Sequence, residues 1–479
     1  MKWQPSVRAF FGDAGVFGCI GALLAGCSVG PAYKRPDIPP PTQWHETAGD
    51  ANRAKSSVWP DAEWWHGFGS TRLDELIADA MRNNDDLAGA IARVQEADQQ
   101  ARIAGAALLP SIDAGFNALR EREFVTGAAN SSGSGNRLFN AFNPELTASY
   151  ELDFWGKNRA TRDAARAAAA ASRYDRQTVA LTVIGGVATT YFQALELRDR
   201  LEVAQQNLDN GEAILRGFRL EQTAGTATGL DVAQQETAVA LLNAAVPPLR
   251  QQFRQTVHAL AVLIGKTPES VDVETGTLTQ LSSPAVVEGL PSQLLSRRPD
   301  VAEAEQNLIA ANADITVARA ALFPDIQLTA VGGYESEALA GLVSPANRIY
   351  SIAAGLTQPI FRGGALHAQV AFSKARYTEL LTTYHKTVLT AFSNVEDALV
   401  ATRQTAELQK RQQEAVMTAK RAFEFAERQM SAGTVNILTV LNTENALFGA
   451  QDQLVQDNFL RLQAMVNLFA ALGGGWHQG

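Results

Sequence analysis

Reactive and metal-binding residues are scarce in this chain of 479 residues, which holds two cysteines, five methionines and six histidines. The histidines (His45, His66, His258, His367, His385 and His477) are scattered, with no metal-ligand spacing among them. Five methionines are too few for a methionine-lined metal path. No glycine-rich phosphate-binding loop is present, so energy for any work must come from a partner. Glu396-Asp397 and Glu303/Glu305 come nearest to paired carboxylates, and they read as polar faces of long helices. A nucleophile constellation is missing as well. These absences argue against an enzyme, a cofactor and a bound metal. Basic excess is lacking too. The net charge of −9 has the wrong sign for phosphate binding and argues against nucleic acid as a partner. Beyond Cys27 no apolar run approaches the length of a transmembrane helix. If the chain crosses a membrane, it must do so as a closed β-barrel.

What is present begins with a targeting segment. Lys2 and Arg8 precede an apolar run from Ala14 to Gly26, too short to span a bilayer. The run ends in Leu24-Ala25-Gly26-Cys27, which resembles the bacterial lipobox. In that motif the cysteine thiol is diacylated, the preceding peptide is cut and the new amine is acylated. Residues 1–26 are therefore expected to be a signal peptide and Cys27 a lipid anchor of the palmitate type. An ordinary signal peptide or a buried helix is the alternative. Ser28 follows, where lipoproteins kept in the inner membrane usually carry Asp. Cys19 leaves with the signal, so neither a disulfide nor a cysteine metal site is possible. Residues 27–70 are rich in proline and then in tryptophan (Pro39-Pro40-Pro41, Trp59, Trp64, Trp65). They read as an extended tether leading to a small packed patch.

The stretch from Pro299 to Tyr334 changes period halfway. Val301, Ala304, Leu308, Ala311, Ile315, Ala318 and Leu322 form a heptad seam. Pro299 suits the first helical turn, and Asp300 and Glu303 favour its positive end. After Pro324 the pattern alternates, with Ile326, Leu328, Ala330 and Tyr334 opposite Asp325, Gln327 and Thr329, as in a two-faced strand. The same pattern occurs 324 − 110 = 214 residues earlier. There Leu87, Ala90, Val94, Ala97, Ala101, Ala104 and Leu108 form the seam, and Pro110 precedes Ile112, Ala114 and Phe116. The chain is an internal duplication.

The first repeat (71–279) is expected to open with a helix from about Thr71 to Ala107. A strand follows at about 111–124, then a Gly-, Ser- and Asn-rich loop from Gly127 to Asn143, then a strand at about 144–154. In that second strand Leu146, Ala148, Tyr150, Leu152 and Phe154 oppose Glu145, Thr147, Ser149, Glu151 and Asp153. An acidic row opposite an apolar row suits a barrel wall with lipid outside and water inside; a half-buried strand of a soluble sheet is the alternative. A proline-free helix then fills about 156–222, about 100 Å long at 1.5 Å per residue. Gly185 and Gly186 could mark a bend or a close helix approach. After the turn Ala224-Gly225-Thr226 the chain returns over 230–264, with Pro247-Pro248 expected to divide that return into two helices. The second repeat (280–472) follows the same plan. Its strands fall at about 325–336 and 349–361, its long helix at about 364–431 and its return helix at 436–472. Its turn is Ala432-Gly433-Thr434, and 473–479 form a tail.

Four strands per chain cannot close a barrel of useful bore. Three copies give 3 × 4 = 12 strands, and closed symmetry removes the bare sheet edges. The fold class expected is mainly α with a membrane β-barrel, in which long coiled-coil-like helices make a trimeric tube across the envelope.

Several motifs together resemble the outer-membrane efflux factors of the TolC and OprM type, in their lipoprotein branch. They are Cys27 with Gly30-Pro31-x-Tyr33-x-x-Pro36, then Leu290-Pro291-Ser292-x-Leu294-Leu295-x-Arg297-Arg298-Pro299-Asp300, then Ala310-Ala311-Asn312-Ala313 and Phe323-Pro324. Gln358-Pro359-Ile360-Phe361-x-Gly363-Gly364 and the two Ala-Gly-Thr turns complete the set. The resemblance covers essentially the whole mature chain. It implies a homotrimer with a 12-stranded barrel in outer-membrane lipid, a periplasmic helical tunnel and an equatorial belt. It also implies docking onto a periplasmic adaptor (membrane fusion) protein and an inner-membrane pump, commonly of the resistance-nodulation-division class.

The docking tips are then Ala224, Gly225, Thr226, Ala432, Gly433 and Thr434. Members often carry Arg four residues before the tip glycine and an aromatic after it; here stand Glu221 and Gln222, then Gln429 and Met430. That departure bears on partner choice rather than on the turn. Asp231, Glu427 and Asn436 are candidates for a periplasmic gate, and Glu145, Glu151 and Asp153 for lumen-lining positions. The expected function is a passive exit duct for small molecules such as drugs. A duct for secreted polypeptides (type I secretion) and a periplasmic coiled-coil scaffold are the alternatives, but a scaffold leaves the two-faced strands unexplained.

Overall fold

A computed structural model describes residues 29–45, 61–125, 135–273, 275–284 and 291–476. The expected signal peptide and Cys27 lie outside the described residues. Two compact units emerge.

The first unit comprises residues up to Pro36, Val94–Ala171 and Ala304–Thr383, and it holds all four strands. These are β1 (Ser111–Val125), β2 (Gly135–Glu151), β3 (Asp325–Tyr334) and β4 (Arg348–Thr357), in the order β1-β2-β3-β4 and antiparallel throughout. Register sorts the side chains into two faces, because directly opposed residues share a face. Ile112, Ala148, Ala330 and Ile352 lie in one row, and Ala114, Leu146, Gly332 and Tyr350 in the next. On the other face Ser111, Ser149, Thr329 and Ala353 align, followed by Asp113, Thr147, Val331 and Ser351. In a soluble sheet the apolar face would be the buried one. Here Ile112 is 71% exposed and Ile352 84%. Among the described residues nothing covers Ile112 or Ile352 on that face, which is the arrangement of a wall turned towards lipid.

The second strand begins earlier than expected. Residues 135–143 pair with Asn117–Val125, so most of the expected Gly127–Asn143 loop is hairpin. Backbone pairing extends the strand through residues whose apolar members, Leu138, Phe139, Ala141 and Phe142, do not alternate strictly with polar ones. At the other end β4 stops at Thr357, short of the expected 361; Pro359 has no N–H for a further rung.

The second unit comprises Asp37–Arg93, Ser172–Glu303 and Tyr384–Gly479. The expected single helix over Thr71–Ala107 is in fact two, α1 (Thr71–Asn83) and α2 (Asp85–Ala106). Asn84 is extended at φ −67°, ψ 127°. Its side chain explains the break: Oδ1 accepts from the Leu87 amide at 2.9 Å, and Nδ2 donates to the Leu263 carbonyl at 2.8 Å. Asn84 thus caps α2 and ties it to the return helix.

The long helices match between the halves. α3 (Lys157–Thr223) and α6 (Ala365–Ser431) have 67 residues each, while α4 (Gly229–Leu263) and α7 (Ile437–Ala471) have 35 each. Helix α5 (Pro299–Ala320) precedes β3 as α2 precedes β1. The break expected at Pro247-Pro248 does not occur, since α4 runs through both prolines. Two backbone N–H groups are missing there, but Val246, Phe253, Val257 and Leu260 are buried along the same helix, and that packing outweighs them. α3 also corrects the statement that no long apolar run follows Cys27, because it contains an 18-residue window of mean hydropathy 1.4. Its Val183, Val187, Phe192 and Leu195 belong to the main core, however, so a soluble-type core accounts for the hydropathy. The helix passes Gly185 and Gly186 unbroken. A Cβ at either would stand 3.8 Å from the Val466 or Leu263 side chain, an ordinary contact distance, so no close helix approach requires these glycines.

The tryptophan-rich patch joins this core. Trp64 stacks on Phe469 with centroids 4.7 Å apart, and Phe68 meets Phe192 edge-on at 5.0 Å. Burying Phe68 completely stabilises this junction by about 1.5–3 kcal/mol.

Candidate functional site

Two hairpin turns carry the chain from each long helix into its return helix, and they are built alike. At the first, the Gly225 amide donates to the Gln222 carbonyl at 3.0 Å and the Thr226 amide to the Glu221 carbonyl at 2.9 Å. At the second, Gly433 donates to Met430 at 2.8 Å and Thr434 to Gln429 at 2.9 Å. Both are Schellman closures, which need a left-handed residue after the helix. Gly225 (φ +77°) and Gly433 (φ +71°) supply it. Each threonine also donates its Oγ1 to the same carbonyl that its amide uses, at 3.0 Å for Thr226 and 2.9 Å for Thr434. Ala-Gly-Thr is therefore a chemical minimum for this turn: glycine for the dihedral and threonine for a doubled bond. Glu221, Gln222, Gln429 and Met430 enter these closures through their carbonyls, so the closing bonds do not depend on the side chains that depart from the family pattern. Residues 221–226 and 431–434 are exposed.

Two of the gate candidates form helix caps. Asp231 closes a capping box with Thr228, accepting from its amide at 2.8 Å and from its hydroxyl at 2.7 Å. Those bonds hold its carboxyl below the usual carboxylate range. Asn436 caps α7, accepting from the Thr439 amide at 3.3 Å. Glu427 is exposed on α6, and its charge reaches the buried Glu444 of α7.

Of the lumen candidates, Glu145 and Glu151 stand on the polar face of the sheet. Glu151 pairs with Lys157 at 2.9 Å, and Lys157 reaches Asp325 at 3.8 Å. Asp153 does not belong with them. It lies beyond the end of β2 and accepts from the amides of Asn158 and Arg159 at 2.9 Å each and from Arg159 Nε at 3.0 Å. It anchors the N-terminus of α3, as a carboxylate does at the positive end of a helix.

The Gly-Pro-x-Tyr motif lies along α5. Asn312 Nδ2 donates to the Pro31 carbonyl at 3.0 Å and Arg319 to the Val29 carbonyl at 3.4 Å. Tyr33 donates to Glu305 at 3.4 Å, and Arg35 pairs with Glu305 at 3.1 Å. The Thr316 side chain fills the space beside Gly30 where a Cβ would sit. The tether thus runs towards the end of α5 that feeds β3. Cys27 is two residue steps from Val29, a reach of about 7 Å at most.

Sequence reasoning missed Asn84 and the significance of Glu444. The first had a signal, since Asn-Asp-Asp-Leu after Arg82-Asn83 is a helix-start pattern. The second is an acid inside the seam Val440, Leu441, Leu447, Phe448.

A sheet with one bare apolar face, paired with a duplicated set of long hairpins, defines an outer-membrane channel subunit of the TolC type. The chain belongs to the outer membrane efflux protein family, whose model matches residues 76–266 and 290–474. It is 41% identical over 458 residues to the pyoverdine export outer membrane protein OpmQ of Pseudomonas putida, covering 95% of this chain and 96% of that one. It is 32% identical over 463 residues to the toluene efflux pump outer membrane protein TtgF of Pseudomonas putida, covering 95% and 96%. Among solved structures, the outer-membrane channel OprN superposes with a TM-score of 0.87 at 25% identity, over 94% of this chain and all of that one. The Neisseria gonorrhoeae MtrE channel in its open state gives 0.82 at 26% identity, over 94% and 98%. The chain is accordingly an outer-membrane efflux channel and not an enzyme.

Proposed function

We propose that three copies of this chain close a 12-stranded barrel and serve as the passive exit duct of a tripartite export system. The observation that carries this is the sheet, with an uncovered apolar face, a polar face and two unpaired edges, β1 and β4. Four such strands need partners on both sides, and closure by identical copies supplies them. Glu145 and Glu151 then line a wet bore. The exposed Schellman tips dock a periplasmic adaptor, which couples the duct to an inner-membrane transporter. The tether on α5 leads towards β3, which supports lipid anchoring at Cys27 near the barrel's rim. The cargo is a small molecule, and the relatives named for pyoverdine export make a siderophore the first candidate ahead of solvents and drugs.

The test is photo-crosslinking in native cells from probes replacing Thr226 and Thr434, with mass spectrometry of the captured proteins. Capture of an adaptor together with its transporter is expected. The transporter's class then decides whether the resistance-nodulation-division type applies and narrows the cargo. The mass of the mature N-terminal peptide in the same sample reads acylation of Cys27. Active probes that catch only other copies of this chain would overturn tip docking.

A further inference from the structure

The two hairpins share one backbone plan, and one of the charge differences between them falls on a pair that bridges the two helices. In the first hairpin Arg219 on α3 donates to Glu236 on α4 at 2.8 Å, closing a salt bridge across the two helices. The matching positions lie 433 − 225 = 208 residues later. They hold Glu427 on α6 and Glu444 on α7. Where the first hairpin has a cation and an anion, the second has two carboxyls.

Within the second pair Glu427 is exposed and Glu444 is enclosed. Glu444 is 2% exposed, and its Oε1 has no hydrogen-bond partner. It sits on the helix that contributes Ile437 and Leu441 to the apolar cluster with Leu215, Phe218 and Val232. Among the described residues no salt bridge compensates it. On α3, Arg219 is committed to Glu236, and Arg216 faces Glu212 at 3.8 Å. On α4, Asp231 is held in its capping box, and Gln235, neutral, donates to the Gly211 carbonyl. On α6, Arg428 lies over the Phe425 ring and Arg421 donates to Thr418, while Glu424 adds a further negative charge beside Glu427. On α7 no charged residue stands within a turn of Glu444.

We propose that the second hairpin is proton-sensitive where the first is not: a proton held on Glu444 beside Glu427 does there what Arg219 does for Glu236. Burial first, and the Glu427 charge second, push the Glu444 carboxyl up to about 7 from its ordinary 4.5. The packed hairpin therefore binds more protons than the opened one between those two values. Its closure is favoured at low pH and weakens as pH rises through about 7. With those two values the linkage relation gives about tenfold more opening at pH 8 than at pH 6. This holds whether or not the tips dock an adaptor.

The experiment is hydrogen exchange with mass spectrometry on the assembled full chain in nanodiscs between pH 6 and pH 8, with exchange corrected for its intrinsic pH dependence. Peptides of the first hairpin serve as the internal reference. Amides from Ala426 to Leu447 are expected to open about tenfold more across that range, while those around Arg219 and Glu236 stay level. Glu444→Gln, which keeps the shape without the charge, should flatten the response. Glu427→Arg, which rebuilds the pair of the first hairpin, should flatten it too. A parallel rise in both hairpins, or a slope that survives in either variant, would overturn the proposal.

Discussion

Thr226 and Thr434 give the tips their economy. Each spends its amide and its hydroxyl on one carbonyl, so the turn depends on two side-chain identities and otherwise on backbone. Gly225→Ala forces a Cβ into the left-handed region and should destabilise the turn by about 1–2 kcal/mol. Thr226→Val keeps the amide bond, loses the hydroxyl one and should cost about 0.5–1.5 kcal/mol. Glu221→Ala should leave the turn unaltered. Local hydrogen exchange at residues 220–228 checks all three, and equal effects from the glycine and the glutamate changes would refute the account. The Ala-Gly-Thr turns stood out in the sequence because they recur. Asp231 and Asn436 attracted attention for their nearness to the turns, yet each is a helix cap, and Thr228-x-x-Asp231 already carried that signal. Glu444 was harder to see. Its meaning depends on which residue opposes it across the hairpin, and a single strand of letters does not show that.

The helices differ in how far pattern alone decided them. Heptad spacing located α3 and α6 because seam and proline-free length agree. Two boundaries depart from the helix plan that seam and proline spacing suggest. At Asn84 a helix that the pattern would continue stops, because one asparagine satisfies an amide ahead of it and a carbonyl of α4 at once. At Pro247-Pro248 a helix that the pattern would stop continues, because tertiary packing exceeds the loss of two donors. It follows that the prolines weaken α4 without dividing it. Pro247→Ala should raise the thermal denaturation midpoint of the detergent-solubilised protein, with up to about 3 kcal/mol recovered if the restored N–H finds its helical acceptor. An unchanged or lowered midpoint would mean that the prolines relieve a strain that a straight α4 would incur.

Across the complete assembly the sheet decides what the chain can be. Alternation marks the second half of β2 and β3 in the sequence, whereas the first half of β2, with Phe139 and Phe142 out of strict alternation, is made a strand by pairing with β1. The two faces should respond oppositely to charge. Ile352→Arg, on the apolar row, should cost about 2–4 kcal/mol if it lies at the bilayer midplane. Ser351→Arg, one residue away on the polar face, should fold normally and shift ion selectivity towards anions. Folded yield in outer membranes and single-channel reversal potentials measure the two effects, and a tolerated Ile352→Arg would show that the apolar row does not meet lipid. The matched helix lengths, 67 with 35 in each half, have a consequence for stoichiometry. A ring of three such chains would present six hairpins, three with the Arg219–Glu236 pair and three with Glu427 and Glu444. A binding protein that reads only the shared Schellman backbone finds six equivalent seats, whereas one that reads charge finds three, so subunit counting would reveal which chemistry the partner recognises.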